Sequence, residues 1–248
     1  MLVLAVHGSA VPAASATIDR LLASIEALSG VRAVVGHLDV QRPSLAEVVA
    51  EHPHAVVVPL LLGDGYHRRV DIPAVLAEHG APDCVLTEGL AREQDVALAL
   101  YGRLREAERR RGPHALADAV LVAGAGSSRP GGNDGTLTCV EQLSTLLECD
   151  RGPGPIPVVP AYLTSASPTP AEALAALRAA GHERIAVATH LLAPGRFTEV
   201  LDRLDAWTVS APLADHPRLA RLVLRRWERA LRESARGMRE ARTARLAS

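Results

Sequence analysis

The chain has 248 residues, 48% of them hydrophobic, and a formal net charge of −1; all 27 of its basic residues are arginine. That near-neutral balance leaves no electrostatic footprint for nucleic acid or an anionic membrane, and 2% aromatic content is too little to stack bases. No apolar run approaches the roughly 18 residues that span a bilayer, and Cys84, Cys139 and Cys149 form no C-x-x-C pair, which argues against disulfides, a zinc ribbon or an iron–sulfur cluster and reads them as buried small hydrophobes.

Apolar runs predict strands at 2–6, 33–38, 55–62, 83–86, 118–123, 156–161, 184–191 and 206–210. Amphipathic stretches between them predict helices at 13–29, 43–52, 72–79, 92–111, 136–148, 170–180, 197–205 and 217–245. Regular alternation of the two argues for βαβ units and parallel sheets. The first strand begins at Leu2 with no charged leader before it, and the expected location is cytoplasmic.

Two strand-type runs each lead into a histidine: Leu2 to Val6 into His7-Gly8-Ser9, and Ala55 to Leu62 into Gly63-Asp64-Gly65-Tyr66-His67. In open α/β sheets the ligand crevice lies beyond the carboxyl ends of the strands, so two imidazoles would share it. Imidazole both binds a borderline divalent metal and accepts a proton near neutral pH, which suits a reaction in which a metal enters as protons leave. Asp71 and Pro73 predict the cap and first turn of the helix that closes the second of these loops. Asp39, at the end of the second strand, could orient an imidazole, bind metal or take a proton, or equally cap the helix after Pro43. His37, two residues earlier, and His190, at a later strand end, read as packed rather than ligating. Arg42, Arg68 and Arg69 lie near the expected cleft mouth, with Arg129 and Arg196 in corresponding loops of the second half, an arrangement suited to a substrate bearing several carboxylates.

The order of elements runs twice. Gly126-Ser127 follows Gly8-Ser9 at a spacing of 118 residues, and Val187 to Phe197 follows Val57 to His67 at a spacing of 130. A boundary is expected where the charged stretch Arg109-Arg110-Arg111 meets Gly112-Pro113, giving lobes 1–112 and 113–248. In this alignment His7 falls on Ala125 and His67 on Phe197, so the first half keeps the chemistry and the second forms a wall. The glycine-rich segment 123–133 follows a strand, but it has arginine where a dinucleotide fingerprint needs its third glycine, and it lacks the lysine of a P-loop. The arginine-rich stretch at 221–245, with Leu222, Trp227 and Leu231 among its apolar positions, reads as a packing helix with a solvated face.

Over essentially its full length the chain resembles the class II tetrapyrrole chelatases, specifically the two-repeat sirohydrochlorin chelatases. The resemblance is carried by His7-Gly8-Ser9, Leu38-Asp39 through Pro43, Val58 to Leu62 with Gly65-Tyr66-His67 and Asp71-Ile72-Pro73, and, in the second half, Ala166 to Thr169 and Leu191 to Gly195. It implies two flavodoxin-like lobes, each a parallel sheet flanked by helices, related by a pseudo-twofold about a central cleft. It further implies a soluble enzyme that inserts a divalent metal into sirohydrochlorin without ATP, Fe2+ for siroheme foremost and Co2+ or Ni2+ as alternatives; the metal is substrate, and no tightly bound cofactor is implied. By resemblance, His7 is the principal metal ligand and proton acceptor, His67 its partner, and Asp39 the acidic metal-site residue where many relatives carry glutamate. Ser9, Gly65, Tyr66, Arg42, Arg68, Arg69, Arg129 and Arg196 are the candidates for holding the macrocycle. The chain departs from the family at Ala10, where arginine usually follows H-G-S, and a non-catalytic tetrapyrrole or metal carrier is therefore the competing reading. Neither nucleic acid nor membrane is expected as a partner, and a monomer is expected because the repeat supplies both lobes, with a homodimer as the alternative.

Overall fold

The computed structural model describes residues 1–39, 41–63, 67–79, 83–152, 154 and 156–246, the side chains of residues 67, 68 and 238–246 excepted. The first half runs β1 (Leu2–Val6), α1 (Pro12–Ser29), β2 (Ala33–His37), α2 (Leu45–Glu51), β3 (Val56–Pro59), a π-helical turn (His67–Asp71) leading into α3 (Ile72–Glu78), β4 (Val85–Leu86) and α4 (Gln94–Arg111). The second half repeats it: β5 (Ala119–Gly124), α5 (Asp134–Arg151), β6 (Val158–Tyr162), α6 (Pro170–Ala179), β7 (Ile185–His190), α7 (Arg196–Asp202), β8 (Thr208–Val209) and α8 (Pro217–Leu246). Two four-stranded, all-parallel sheets result, ordered β2-β1-β3-β4 and β6-β5-β7-β8, and the chain is an α/β protein of two lobes. Among the described residues no helix is long and apolar enough to cross a membrane.

Local chemistry explains the elements. The central strands β1 and β5 are buried along their whole length, which is why they read as unbroken apolar runs instead of alternating ones. Both α2 and α6 begin with a reciprocal cap: Ser44 accepts from the Glu47 N–H, Thr169 accepts from the Glu172 N–H, and each glutamate reaches back to the cap's own N–H. The cap of α2 is thus Ser44 and not Asp39. Asp71 makes no cap either: its backbone is helical, its side chain bonds no first-turn amide, and it closes the π-helical turn before α3. Of the cysteines only Cys139 is buried; Cys84 is half-buried and Cys149 is exposed.

The repeat extends to individual hydrogen bonds. Leu38 N–H to Val6 O and Asp39 N–H to His7 O (2.8 and 3.0 Å) recur as Leu163 N–H to Gly124 O and Thr164 N–H to Ala125 O (3.0 and 2.9 Å). The terminal helices exchange lobes. α4 leaves the first sheet to pack on α5, β7 and β8 of the second, and α8 packs on α1 and β3 of the first. Arg103 Nε donates to Pro212 O (3.1 Å) from α4, and Arg226 of α8 donates to Gly89 O (3.3 Å) and pairs with Glu93. One apolar cluster, including Leu4, Leu100, Val122, Ala188 and Leu222, therefore runs through both lobes.

Candidate active site

In a sheet ordered 2-1-3-4 the chain crosses over in opposite directions on either side of the β1–β3 pair, which opens a crevice beyond the carboxyl ends of those two strands. His7 is the first residue after β1, and it is exposed there. Leu38 and Asp39 extend the β1–β2 ladder past its last formal pair, and Asp39, also exposed, bonds the His7 carbonyl through its backbone. His7 and Asp39 thus stand side by side at the rim. His37 is set back: its Nδ1 lies 3.0 Å from Pro43 O and ties the ring to its own loop.

The second lobe closes against this edge. A Cβ on Gly135, in the first turn of α5, would stand 2.2 Å from Leu62 O in the loop after β3, so only glycine permits that approach. A Cβ on Gly63 would meet Gly132 O at a tight 3.2 Å, and Gly195, at the start of α7, faces Ser9 Oγ. Loops after β1 and β3 thereby meet the start of α5 and the loop after β7, with the carboxyl ends of both sheets bordering one cleft.

The other expected residues divide clearly. Ser9 lies in the cleft wall, its N–H donating to Gln41 Oε1 at 2.7 Å and its Oγ accepting from Val11 N–H at 3.2 Å. Arg69, Arg129 and Arg196 are exposed in loops or first turns at the carboxyl ends. Arg42 is exposed but pairs with Glu47 in the first turn of α2. Gly65 and Tyr66 lie outside the described residues, as do the side chains of His67 and Arg68, whose backbone opens the π-helical turn. Among the described residues no three His, Cys, Asp or Glu side chains are grouped closely enough to hold a metal, and the His67 imidazole lies outside that set. Gln41 is a residue the sequence reading passed over. Its only sequence signal is the repeat, in which Ala166 holds the corresponding place.

In the second lobe Ala125 stands where His7 does and Thr164 where Asp39 does, by the shared hydrogen bonds. The β-ladder pairs Leu2 with Val56 and Val120 with Ala186, the 130-residue spacing that sets Phe197 against His67. Phe197 and Val200 are exposed on α7, and Val70 holds the matching place to Val200 in the first lobe, so apolar groups flank the cleft from both sides.

His190, the last residue of β7, is fully buried with Nδ1 3.2 Å from Thr136 Oγ1. Burial pushes its pKa down to about 4 from the usual 6.5, which keeps the ring neutral in the folded protein. The unfolded chain takes up a proton at His190 as pH falls through 6.5 while the folded one does not. Stability is therefore full above 6.5 and declines toward pH 4, by at most about 3 kcal/mol from this group. Chemical denaturation at pH 7.5 and 5 should show the decline in the wild type and a flatter profile in His190→Leu; equal slopes would mean that His190 is solvated.

The site and fold together define a two-repeat α/β protein with its polar chemistry gathered in one lobe. The CbiX family model matches residues 1–107 and 119–230, and the chain belongs to that family. Among solved structures it is similar to SirB from Bacillus subtilis with Fe3+, at 22% identity and a TM-score of 0.72 over 92% of this chain and 94% of that one. A second is the sirohydrochlorin chelatase SirB from Bacillus subtilis subspecies spizizenii in complex with cobalt (21% identity, TM-score 0.65, 92% and 94% covered). A third is CbiX, described as the terminal enzyme for biosynthesis of siroheme in denitrifying bacteria (20% identity, TM-score 0.63, 90% and 97% covered). By sequence alone, no curated protein matches.

Proposed function

We propose that this chain is a cytoplasmic metal chelatase that inserts a divalent metal into sirohydrochlorin without ATP, Fe2+ for siroheme being the leading substrate and Co2+ or Ni2+ the alternatives. The reading rests on one observation above all: His7 and Asp39 adjoin at the rim of a two-lobed cleft, while the same places in the other lobe hold Ala125 and Thr164. Membership of the CbiX family and likeness to structures holding Fe3+ and cobalt support it.

Insertion requires two pyrrole N–H protons to leave as the metal arrives. His7 acts as principal metal ligand and as acceptor of a leaving proton, and His67 partners it across the macrocycle plane. Asp39 holds negative charge beside the incoming dication, which offsets the cost of desolvating it in the cleft. Arg68, Arg69, Arg129 and Arg196, with Arg42 held back by Glu47, meet the substrate's carboxylates. Ser9, Gly65 and Tyr66 are the further candidates for holding the macrocycle. One chain supplies both walls, divided at Gly112-Pro113, so a monomer is sufficient.

The test is anaerobic absorbance of sirohydrochlorin with purified protein and Fe2+, Co2+ or Ni2+ in turn. A spectral change faster than the metal alone produces, over many turnovers per chain, is the expected result. A change that stops at one equivalent of bound tetrapyrrole would identify a carrier instead, a reading for which the alanine at position 10 speaks.

A further inference from the structure

Between β1 and α1 the chain turns through Gly8, whose φ of +96° is left-handed, so the direction in which His7 leaves the sheet depends on what holds the residues on either side of that pivot. The loop after β2 grips both. On one side the Asp39 N–H donates to His7 O at 3.0 Å. On the other the Gln41 carboxamide spans two partners: its Oε1 accepts from Ser9 N–H at 2.7 Å and its Nε2 donates to Ser15 Oγ at 3.1 Å, in the first turns of α1. Gln41 is itself fixed by its own N–H donating to Asp39 O at 2.6 Å. His7, Gly8 and Ser9 are thus bracketed by a segment that also carries Asp39.

The second lobe serves as an internal control. It keeps the backbone tie, Thr164 N–H to Ala125 O at 2.9 Å, and it keeps a left-handed glycine at the pivot, Gly126. It also keeps the short contact to the serine hydroxyl, Arg129 N–H to Ser127 Oγ matching Val11 N–H to Ser9 Oγ, but it has no counterpart of the carboxamide: Ala166 stands at that place, and the Asn133 side chain bonds Ser127 O. The loop folds in either case. The side-chain clamp accompanies only the copy with an imidazole to aim.

We propose that Gln41 is a positioning residue for metal insertion, locking the His7-Gly8-Ser9 turn so that His7 and Asp39 present to one metal ion. The inference rests on the chelatase reading. Reacting groups displaced by about 1 Å can lose on the order of a hundredfold in rate, and a loop freed at one of two ties should lose less. Gln41→Ala, which copies the second lobe, is expected to lower kcat about tenfold with KM for sirohydrochlorin changed less than about twofold, because a misaimed base acts in the transition state and not on carboxylate binding. Co2+ titrated into the protein without tetrapyrrole, followed by its d–d absorbance, should bind several-fold more weakly in the variant. Gln41→Glu keeps an acceptor for Ser9 N–H, and the Ser15 hydroxyl can turn to donate to it, so Co2+ affinity should return. Ala166→Gln in the second lobe should leave rate and affinity untouched.

A Gln41→Ala protein with wild-type kcat and wild-type Co2+ affinity overturns the assignment, as does a loss that appears only in the unfolding midpoint. Failure of Gln41→Glu to recover Co2+ affinity would likewise overturn the clamp. A wild-type protein that inserts none of the three metals overturns the chelatase reading itself, a different result that the Co2+ titration separates from the first.

Discussion

His7→Ala is expected to lower metal insertion by about a hundredfold or more, the usual contribution of a positioned general base, with ligand loss added to it. The unfolding midpoint should hardly move. His7 is exposed, one residue beyond a strand whose five residues carry the core, and its imidazole contributes no apolar burial to that core. Activity and stability are thus predicted to separate completely at this position. Retention of more than about a tenth of the wild-type rate would remove His7 from the chemistry, since general-base assistance rarely contributes so little. The reciprocal change, Ala125→His, should add no activity. The second lobe offers it Thr164 in place of Asp39 and Phe197 in place of His67, so the new imidazole would have neither carboxylate nor partner.

Most elements were legible because parallel strands under two layers of helix are apolar on both faces and helices with one buried face are not. All eight predicted strands and all eight predicted helices are present within a few residues of their expected bounds. The repeat was legible from the Gly8-Ser9 and Gly126-Ser127 pair, and it recurs in the matching hydrogen bonds of Asp39 and Thr164. What pattern could not carry was partnership. An amphipathic helix announces an apolar face and leaves unstated which sheet covers it, so the exchange of α4 and α8 between lobes became visible only in three dimensions.

The same limit applied at the site. His7 was legible from a strand run ending in His-Gly-Ser, where the glycine permits a left-handed turn. Asp39 carried several meanings in sequence, to bind metal, orient an imidazole, take a proton or cap a helix; the Ser44–Glu47 capping box removes only the last. Arg42 read as an arginine at the cleft mouth, and only the turn of α2 shows Glu47 taking its charge. A glutamine in a loop has no pattern at all. Gln41 acquires meaning when the register brings its carboxamide within reach of both Ser9 and Ser15.

Glu108→Ala should be among the most destabilising single changes in the chain. Glu108 is 1% exposed near the end of α4, and its carboxylate bonds Arg151 Nη2 at 2.7 Å, Arg105 Nη1 at 2.8 Å and the Ala117 N–H at 2.9 Å. It thereby ties α4 to the segment before β5 and to the last residue of α5. Arg151 is nearly as buried, with Nη1 donating to Ala117 O at 3.0 Å and Nε meeting no acceptor. Without Glu108 the guanidinium would be a buried cation lacking its counter-charge, and the Ala117 N–H would lose its carboxylate acceptor. Breaking a buried pair from one side costs about 3–5 kcal/mol, or a fall in midpoint of roughly 6–20 °C for a chain of this size. Replacing both members, Glu108→Leu with Arg151→Met, should recover much of the loss, because neither charge then has to be desolvated. These residues lie at the amino-terminal edge of the second sheet, opposite the edge that carries the cleft, so kcat measured well below the midpoint should stay near wild type. A single variant that loses less than about 1 kcal/mol would show that water reaches Arg151 in its place, since desolvation is what makes such a pair costly to break.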